Sequence, residues 1–127
     1  MLSLSTSCRY FLYQAPTDMR NGFDGLSGLV RQGLSKDPLS GDVFIFFNKR
    51  RSHVKLLLWE KDGFSIYHKR LERGTYELPA SATMELRSDE LMLILQGISL
   101  KSIRRRERFD QSQNNFQTSV QSPFVNG

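Results

Sequence analysis

The chemistry this chain can offer is concentrated in cations. Between Asn48 and Gly74 stand Lys49, Arg50, Arg51, Lys55, Lys61, Lys69, Arg70 and Arg73 against Glu60, Asp62 and Glu72, interleaved with Trp59, Phe64 and Tyr67. The block sums to +5, which equals the net charge of all 127 residues. Residues 1–47 balance to zero, residues 75–99 carry −3, and residues 100–127 carry +3 through Lys101, Arg104, Arg105, Arg106 and Arg108. Clustered cations concentrate polyanions, and release of condensed counterions from a phosphate backbone drives non-specific nucleic-acid binding. Nucleic acid is therefore the leading partner class. Lys49, Arg50, Arg51, Lys55, Lys69, Arg70 and Arg73 are the expected phosphate contacts, assisted by Arg104 to Arg106, because guanidinium groups can engage phosphate through two parallel hydrogen bonds.

Other chemistries find less support. A metal-dependent nuclease needs carboxylates converging on Mg²⁺ from separate elements. Asp18, Asp24, Asp42 and Asp62 belong to no such constellation. His53 and His68 have no His or Cys at ligand spacing and read as ordinary hairpin histidines, so no metal is expected. Gly22, Gly25 and Gly28 match no phosphate-loop fingerprint and read as packing glycines approaching a sheet. Trp59 and Tyr67 could stack on unpaired bases, but in a strand pattern they read as core. No catalytic residue and no cofactor are expected.

These side chains must be positioned by a small α+β domain. Tyr10 to Tyr13, ended by Pro16, reads as an edge strand or a lead-in. After Asp18, a candidate cap, Phe23, Leu26, Val30 and Leu34 recur at helical spacing, which predicts a helix over Asn21 to Gln32 with Arg20 pairing to Asp24 one turn on. Val43 to Phe47 is apolar on both alternating faces, the pattern of a central strand covered on each side. Val54 to Trp59 and the strand from Phe64 form a hairpin whose Asp62-Gly63 turn supplies two positive-φ positions. In that hairpin Lys55, Lys69 and Arg70 gather at the end occupied by Arg50 and Arg51, as one patch. Thr75 to Leu78 adds a strand stopped by Pro79, completing an antiparallel meander of three to five strands. Ser88 caps a second helix with Asp89 and Glu90 in its first turn and Leu91, Ile94, Leu95 and Ile98 facing inward. Lys101 to Arg108 reads either as an extension of that helix or as a basic arm. From Phe109 onward Gln, Asn and Ser dominate, so residues 1–108 are expected to form one domain and 109–127 a flexible tail.

Composition sets the remaining bounds. Hydrophobic residues make up 39% of the chain, ordinary for one globular core. Cys8 is the sole cysteine, so no internal disulfide or thiolate metal site can form, which fits a reducing cytoplasm. Residues 1–7 lack the basic and apolar regions of a signal peptide, and no apolar run could cross a bilayer.

Three strings are recognisable together. Pro16-Thr17-Asp18-Met19-Arg20-Asn21-Gly22-Phe23-Asp24-Gly25-Leu26 resembles the signature of the small accessory proteins of the insertion-sequence-66 transposon family. Asn48 to Arg51 with Val54 to Phe64 resembles that family's central block, and His68 to Gly74 the block after it. Order and spacing agree from Tyr10 to Ser99. The chain departs at Asn21, where the family usually carries Lys, and at Thr17, where it often carries Val. The resemblance implies a bacterial accessory factor for DNA transposition, encoded beside a separate transposase. The function expected is a non-catalytic module binding transposon DNA. The alternative is an adaptor in which the basic patch serves an acidic surface on the transposase, and the acidic stretch Glu85 to Glu90 or the region of Phe116 and Phe124 docks a partner.

Overall fold

A computed structural model describes residues 4–78 and 84–96. The elements are β1 (Tyr10–Tyr13), α1 (Phe23–Gly33), β2 (Val43–Phe47), β3 (His53–Trp59), β4 (Phe64–Arg70), β5 (Glu85–Leu86) and α2 (Ser88–Leu95). They build one five-stranded sheet in the order β4-β3-β2-β1-β5. The expected α+β class holds, and β2, β3 and β4 form the antiparallel meander. The sheet as a whole is mixed, because β1 pairs parallel to β2, from Tyr10 opposite Val43 to Tyr13 opposite Phe46. Parallel neighbours need a long crossover. The segment from Gln14 to Asp42, with α1 inside it, provides one.

That crossover also corrects the edge-strand reading of Tyr10 to Tyr13. β1 lies between β2 and β5, and β5 completes its outer side antiparallel, with Tyr10 opposite Leu86. Pro16 falls beyond the strand and does not interrupt its ladder. β2 occupies the centre of the sheet, and all five of its residues are buried, as its unbroken apolar run predicts.

Strand alternation sends side chains to two cores. On one face Phe11, Phe44, Phe46 and Leu57 pack with Leu26, Val30 and Leu34 from α1 and the residue after it. On the other, Tyr10, Leu12, Val43, Ile45, Phe47, Val54 and Leu56 pack with Leu91, Ile94 and Leu95 of α2. Each such Leu or Ile, fully buried, contributes about 1.5–3 kcal/mol of transfer free energy. Of the helix positions read from the sequence, Leu26, Val30, Leu34, Leu91, Ile94 and Leu95 face the sheet, whereas Phe23 is half exposed.

Several local expectations are corrected. α1 begins at Phe23 behind Gly22, which supplies no side-chain cap. Asp18 instead accepts a hydrogen bond from the Arg20 backbone N–H at 2.8 Å, a local Asx turn that competes with capping. Gly22 and Gly28 have open space where a Cβ would stand, and at Gly25 it would strike the Asn21 side chain. The close approach of helix to sheet falls at Gly33, where a Cβ would collide with the Tyr13 ring. α2 is preceded by Arg87 as its N-cap, with Ser88 as its first residue, and Glu90 accepts from the Arg87 backbone N–H at 3.0 Å. Thr75 to Leu78 is not a strand. It crosses the end of the sheet, where Tyr76 is buried against Phe47 and its N–H donates to the Arg51 carbonyl at 2.7 Å.

The β3–β4 turn is longer than a two-residue hairpin loop. Trp59 pairs with Phe64, leaving Glu60 to Gly63 as a four-residue loop in which Lys61, at φ 54°, takes the left-handed conformation. The proposed boundary at residue 108, the tail from 109, Ile98 and the Lys101 to Arg108 segment lie outside the described residues.

Candidate nucleic-acid interface

Because β1 and β2 run parallel, their C-terminal ends lie together, at the end where β3 begins and β4 finishes. The sequence motif after Pro16, the basic turn Asn48–Ser52 and the segment after Arg70 therefore meet there. Backbone bonds lock the three: Thr17 N–H to the Phe47 carbonyl at 2.8 Å, Leu71 N–H to Ser52 at 2.8 Å, and Tyr76 N–H to Arg51.

The basic turn is organised by one side chain. Asn48 Oδ1 accepts from the Ser52 N–H at 2.9 Å and the His53 N–H at 3.0 Å, while Nδ2 donates to Ser52 Oγ at 3.1 Å. With the turn so satisfied, Lys49, Arg50 and Arg51 are exposed, Arg51 in the left-handed conformation at φ 55°. No described residue forms an ion pair with Lys49, Arg50, Arg51 or Arg73. Arg70 pairs with exposed Glu72 at 3.0 Å.

Lys55 is placed differently. It is 9% exposed, and its Nζ donates to the Met19 and Asn21 carbonyls, each at 2.8 Å. The ammonium thus pins the motif loop onto the sheet. Lys69 lies on the opposite face, since β3–β4 register sets Lys55 against His68 and Lys69 against Val54, and its Nζ donates to the Leu95 carbonyl at 3.3 Å. The two lysines share an end of the sheet but not a face, so the expected single patch is narrower than the sequence suggests. Arg104, Arg105 and Arg106 lie outside the described residues.

Asp18, Met19, Arg20, Gly22, Phe23, Asp24 and Gly25 form the loop and first turn that Lys55 holds. Arg20 pairs with Asp18 at 2.6 Å and not with Asp24, because the Asx turn brings the carboxylate back onto the guanidinium. The Arg20 side chain, then its backbone N–H, pull the Asp18 carboxyl down to about 2, so the pair stays ionised. Phe23 is half exposed and stacks on Phe64, itself edge-on to Trp59. The motif is thus a folded knot of backbone and ion-pair contacts. Beside it a shallow groove of about 430 Å³ is lined by Thr17, Asp18, Asn48, Lys49, Arg50 and His53.

The sequence reading missed one contact. His53 Nδ1 and His68 Nε2 are 2.9 Å apart. A two-residue Asp62-Gly63 loop sets His68 opposite Leu57; the four-residue loop sets it opposite Lys55, one step from His53. Loop length was the signal. No group of three or more His, Cys, Asp or Glu side chains that could hold a metal ion occurs among the described residues.

The IS66 Orf2-like protein family matches residues 8–105. The chain belongs to that family. It is 29% identical over 108 residues to the uncharacterized protein y4jC of Sinorhizobium fredii, covering 84% of this chain and 92% of the relative. The uncharacterized protein y4hO of the same organism is 30% identical over 100 residues, covering 77% and 87%. No solved structure matches. The family suggests an accessory function in transposition of an insertion sequence. The matched region takes in the motif loop, the basic turn and both helices. No helix among the described residues is long and apolar enough to cross a membrane.

Proposed function

We propose that the chain is a non-catalytic DNA-binding accessory factor, which holds transposon DNA by its phosphates at the basic end of the sheet. One observation carries this reading: Lys49, Arg50, Arg51 and Arg73 are gathered at one end with no carboxylate against them among the described residues. Burying or pairing a cation lowers its value to a polyanion; leaving it solvated and clustered preserves its counterions for release. In this reading Lys49, Arg50, Arg51, Arg70 and Arg73 contact phosphate, Arg104 to Arg106 extend the contact, and Lys55 and Lys69 act by fixing the loop and α2. The adaptor reading uses the same basic end against an acidic surface on the transposase; only its second contact, the acidic stretch, draws less support, because Arg9 already pairs with Glu85 and Arg87 with Asp89.

Fluorescence anisotropy with transposon-end and scrambled duplexes across a salt series tests the proposal. Binding should weaken steeply with salt, and replacing Arg50, Arg51 and Arg70 with Ala together should reduce the log–log slope by about 3, near 0.9 per lost phosphate contact. An unchanged slope removes this end from consideration. No binding even at low salt sinks the DNA reading and favours the adaptor.

A further inference from the structure

Cross-strand register arranges four nitrogen-bearing side chains as a two-by-two block on one face of the sheet, His53 opposite Arg70 and Lys55 opposite His68. The two imidazole rings lie with centroids 5.2 Å apart and share the contact between Nδ1 of His53 and Nε2 of His68. One proton satisfies that contact, with one ring donating and the other accepting through its lone pair. A proton added to the neutral pair sits on a ring nitrogen outside the contact and leaves it intact; a second added proton makes both rings imidazolium and sets two N–H donors against each other.

The surroundings oppose added protons as well. Lys55 on β3 holds its ammonium against the motif carbonyls, Arg70 on β4 lies beside both rings, and Lys49 and Arg50 share the groove with His53. Among the described residues two carboxylates border the block: Asp18, in that groove, is occupied by Arg20, and Glu72 pairs with Arg70 at 3.0 Å, a contact that an arriving phosphate replaces. Partial burial, then Lys55, His53 and Arg70, hold the His68 imidazole below its ordinary value. The unliganded protein thus sets both rings in the middle of a cationic surface, where the His68 imidazole is held short of its proton. An arriving phosphate reverses the opposing influence: it neutralises the cations and accepts the N–H that an added proton places outside the contact.

We infer, building on the DNA-binding reading, that His53 and His68 form a proton-linked phosphate subsite, taking up one proton as a nucleic-acid phosphate binds between them and Arg70. These are the only two histidines in the sequence. Histidine is the side chain whose ordinary titration falls between about pH 5.5 and 7.5, so proton uptake coupled to binding in that window belongs to this pair.

Duplex affinity measured at fixed ionic strength across that window should rise as pH falls, approaching tenfold per pH unit for one linked proton. His53→Gln and His68→Gln should flatten the dependence, whereas His68→Lys should bind at the upper end of the window nearly as tightly as the unaltered chain does at the lower. A second arm uses the unaltered protein and inorganic pyrophosphate, following the imidazole carbon and proton resonances. Pyrophosphate should raise the titration midpoint of the pair. DNA binding with no pH dependence overturns the subsite and leaves the DNA reading standing. No DNA binding, with a midpoint raised by pyrophosphate, overturns the DNA reading and supports the phosphate subsite. No response in either arm overturns both.

Discussion

The two ends of this sheet treat their charges in opposite ways. At the end where β1 begins, which also holds Asp42 and the Glu60–Gly63 loop, Arg9 pairs with Glu85 at 2.9 Å and Arg87 with Asp89 at 3.0 Å. At the other end, the turn after β2 projects Lys49, Arg50 and Arg51 with no described carboxylate against them. A surface ion pair is worth little to stability, typically under about 1 kcal/mol, so the difference has small effect on folding. Its effect is on the field. Both ends hold ion pairs, Arg20 with Asp18 and Arg70 with Glu72 at the basic one. Among the described residues, however, carboxylates are in surplus at the first end. At the second a cluster of cations stands outside the pairs as a concentrated positive surface, which is where binding of a polyanion would be expected.

The same contrast separates buried from exposed cations, and Lys55 provides its hardest test. Removing the ammonium leaves two partly buried carbonyls without their donor, and hydrogen bonds to charged groups are each worth about 1.5–3 kcal/mol. Lys55→Met should therefore lower unfolding free energy by about 3 kcal/mol in chemical denaturation. Lys61→Met, in the loop at the opposite end of the sheet, should fall within about 0.5 kcal/mol of the unaltered chain. Comparable losses for the two would mean that the motif loop does not depend on Lys55.

A smaller effect is expected at Asn48. Its side chain serves two backbone donors and one hydroxyl, partly buried, so Asn48→Ala should cost about 2 kcal/mol. DNA affinity should fall with it at temperatures where the variant is still folded, because the turn that presents Lys49 and Arg50 loses its frame. Retained affinity with lost stability would show that the cations act through their number alone and need no fixed geometry.

Most of the framework was legible because burial leaves a period in the sequence. Val43 to Phe47 reads as a central strand since every position is apolar, and Leu91, Ile94 and Leu95 mark the face of α2 that the core receives. What escaped depends on distances along the chain that no period encodes. The parallel pairing of β1 follows from the crossover, not from the composition of Tyr10 to Tyr13. Two further residues in the β3–β4 loop shift the whole register and bring His53 to His68. Lys55 looked like its exposed neighbours because alternation reports which face a residue occupies; it does not report whether a loop from elsewhere covers that face.

The smallest effect gives the sharpest comparison. Arg51 and Lys61 occupy matching backbone states at opposite ends of the sheet, with φ 55° and 54°. A side chain in the left-handed region costs about 1–2 kcal/mol, and glycine removes that strain while adding about 0.5–1 kcal/mol of unfolded-state entropy. Each of Arg51→Gly and Lys61→Gly should therefore gain about 0.5–1 kcal/mol, since the backbone bonds of both turns survive. The ends part company in binding. Arg51→Gly should reduce the salt slope for duplex DNA by about 1 and weaken affinity, whereas Lys61→Gly should leave both unchanged. Equal stabilisation with unequal binding would mean that a strained arginine is kept at the basic turn for its charge. Equal loss of binding at both ends would mean that net charge, wherever it lies, governs the association, and the distinction between the ends would fail.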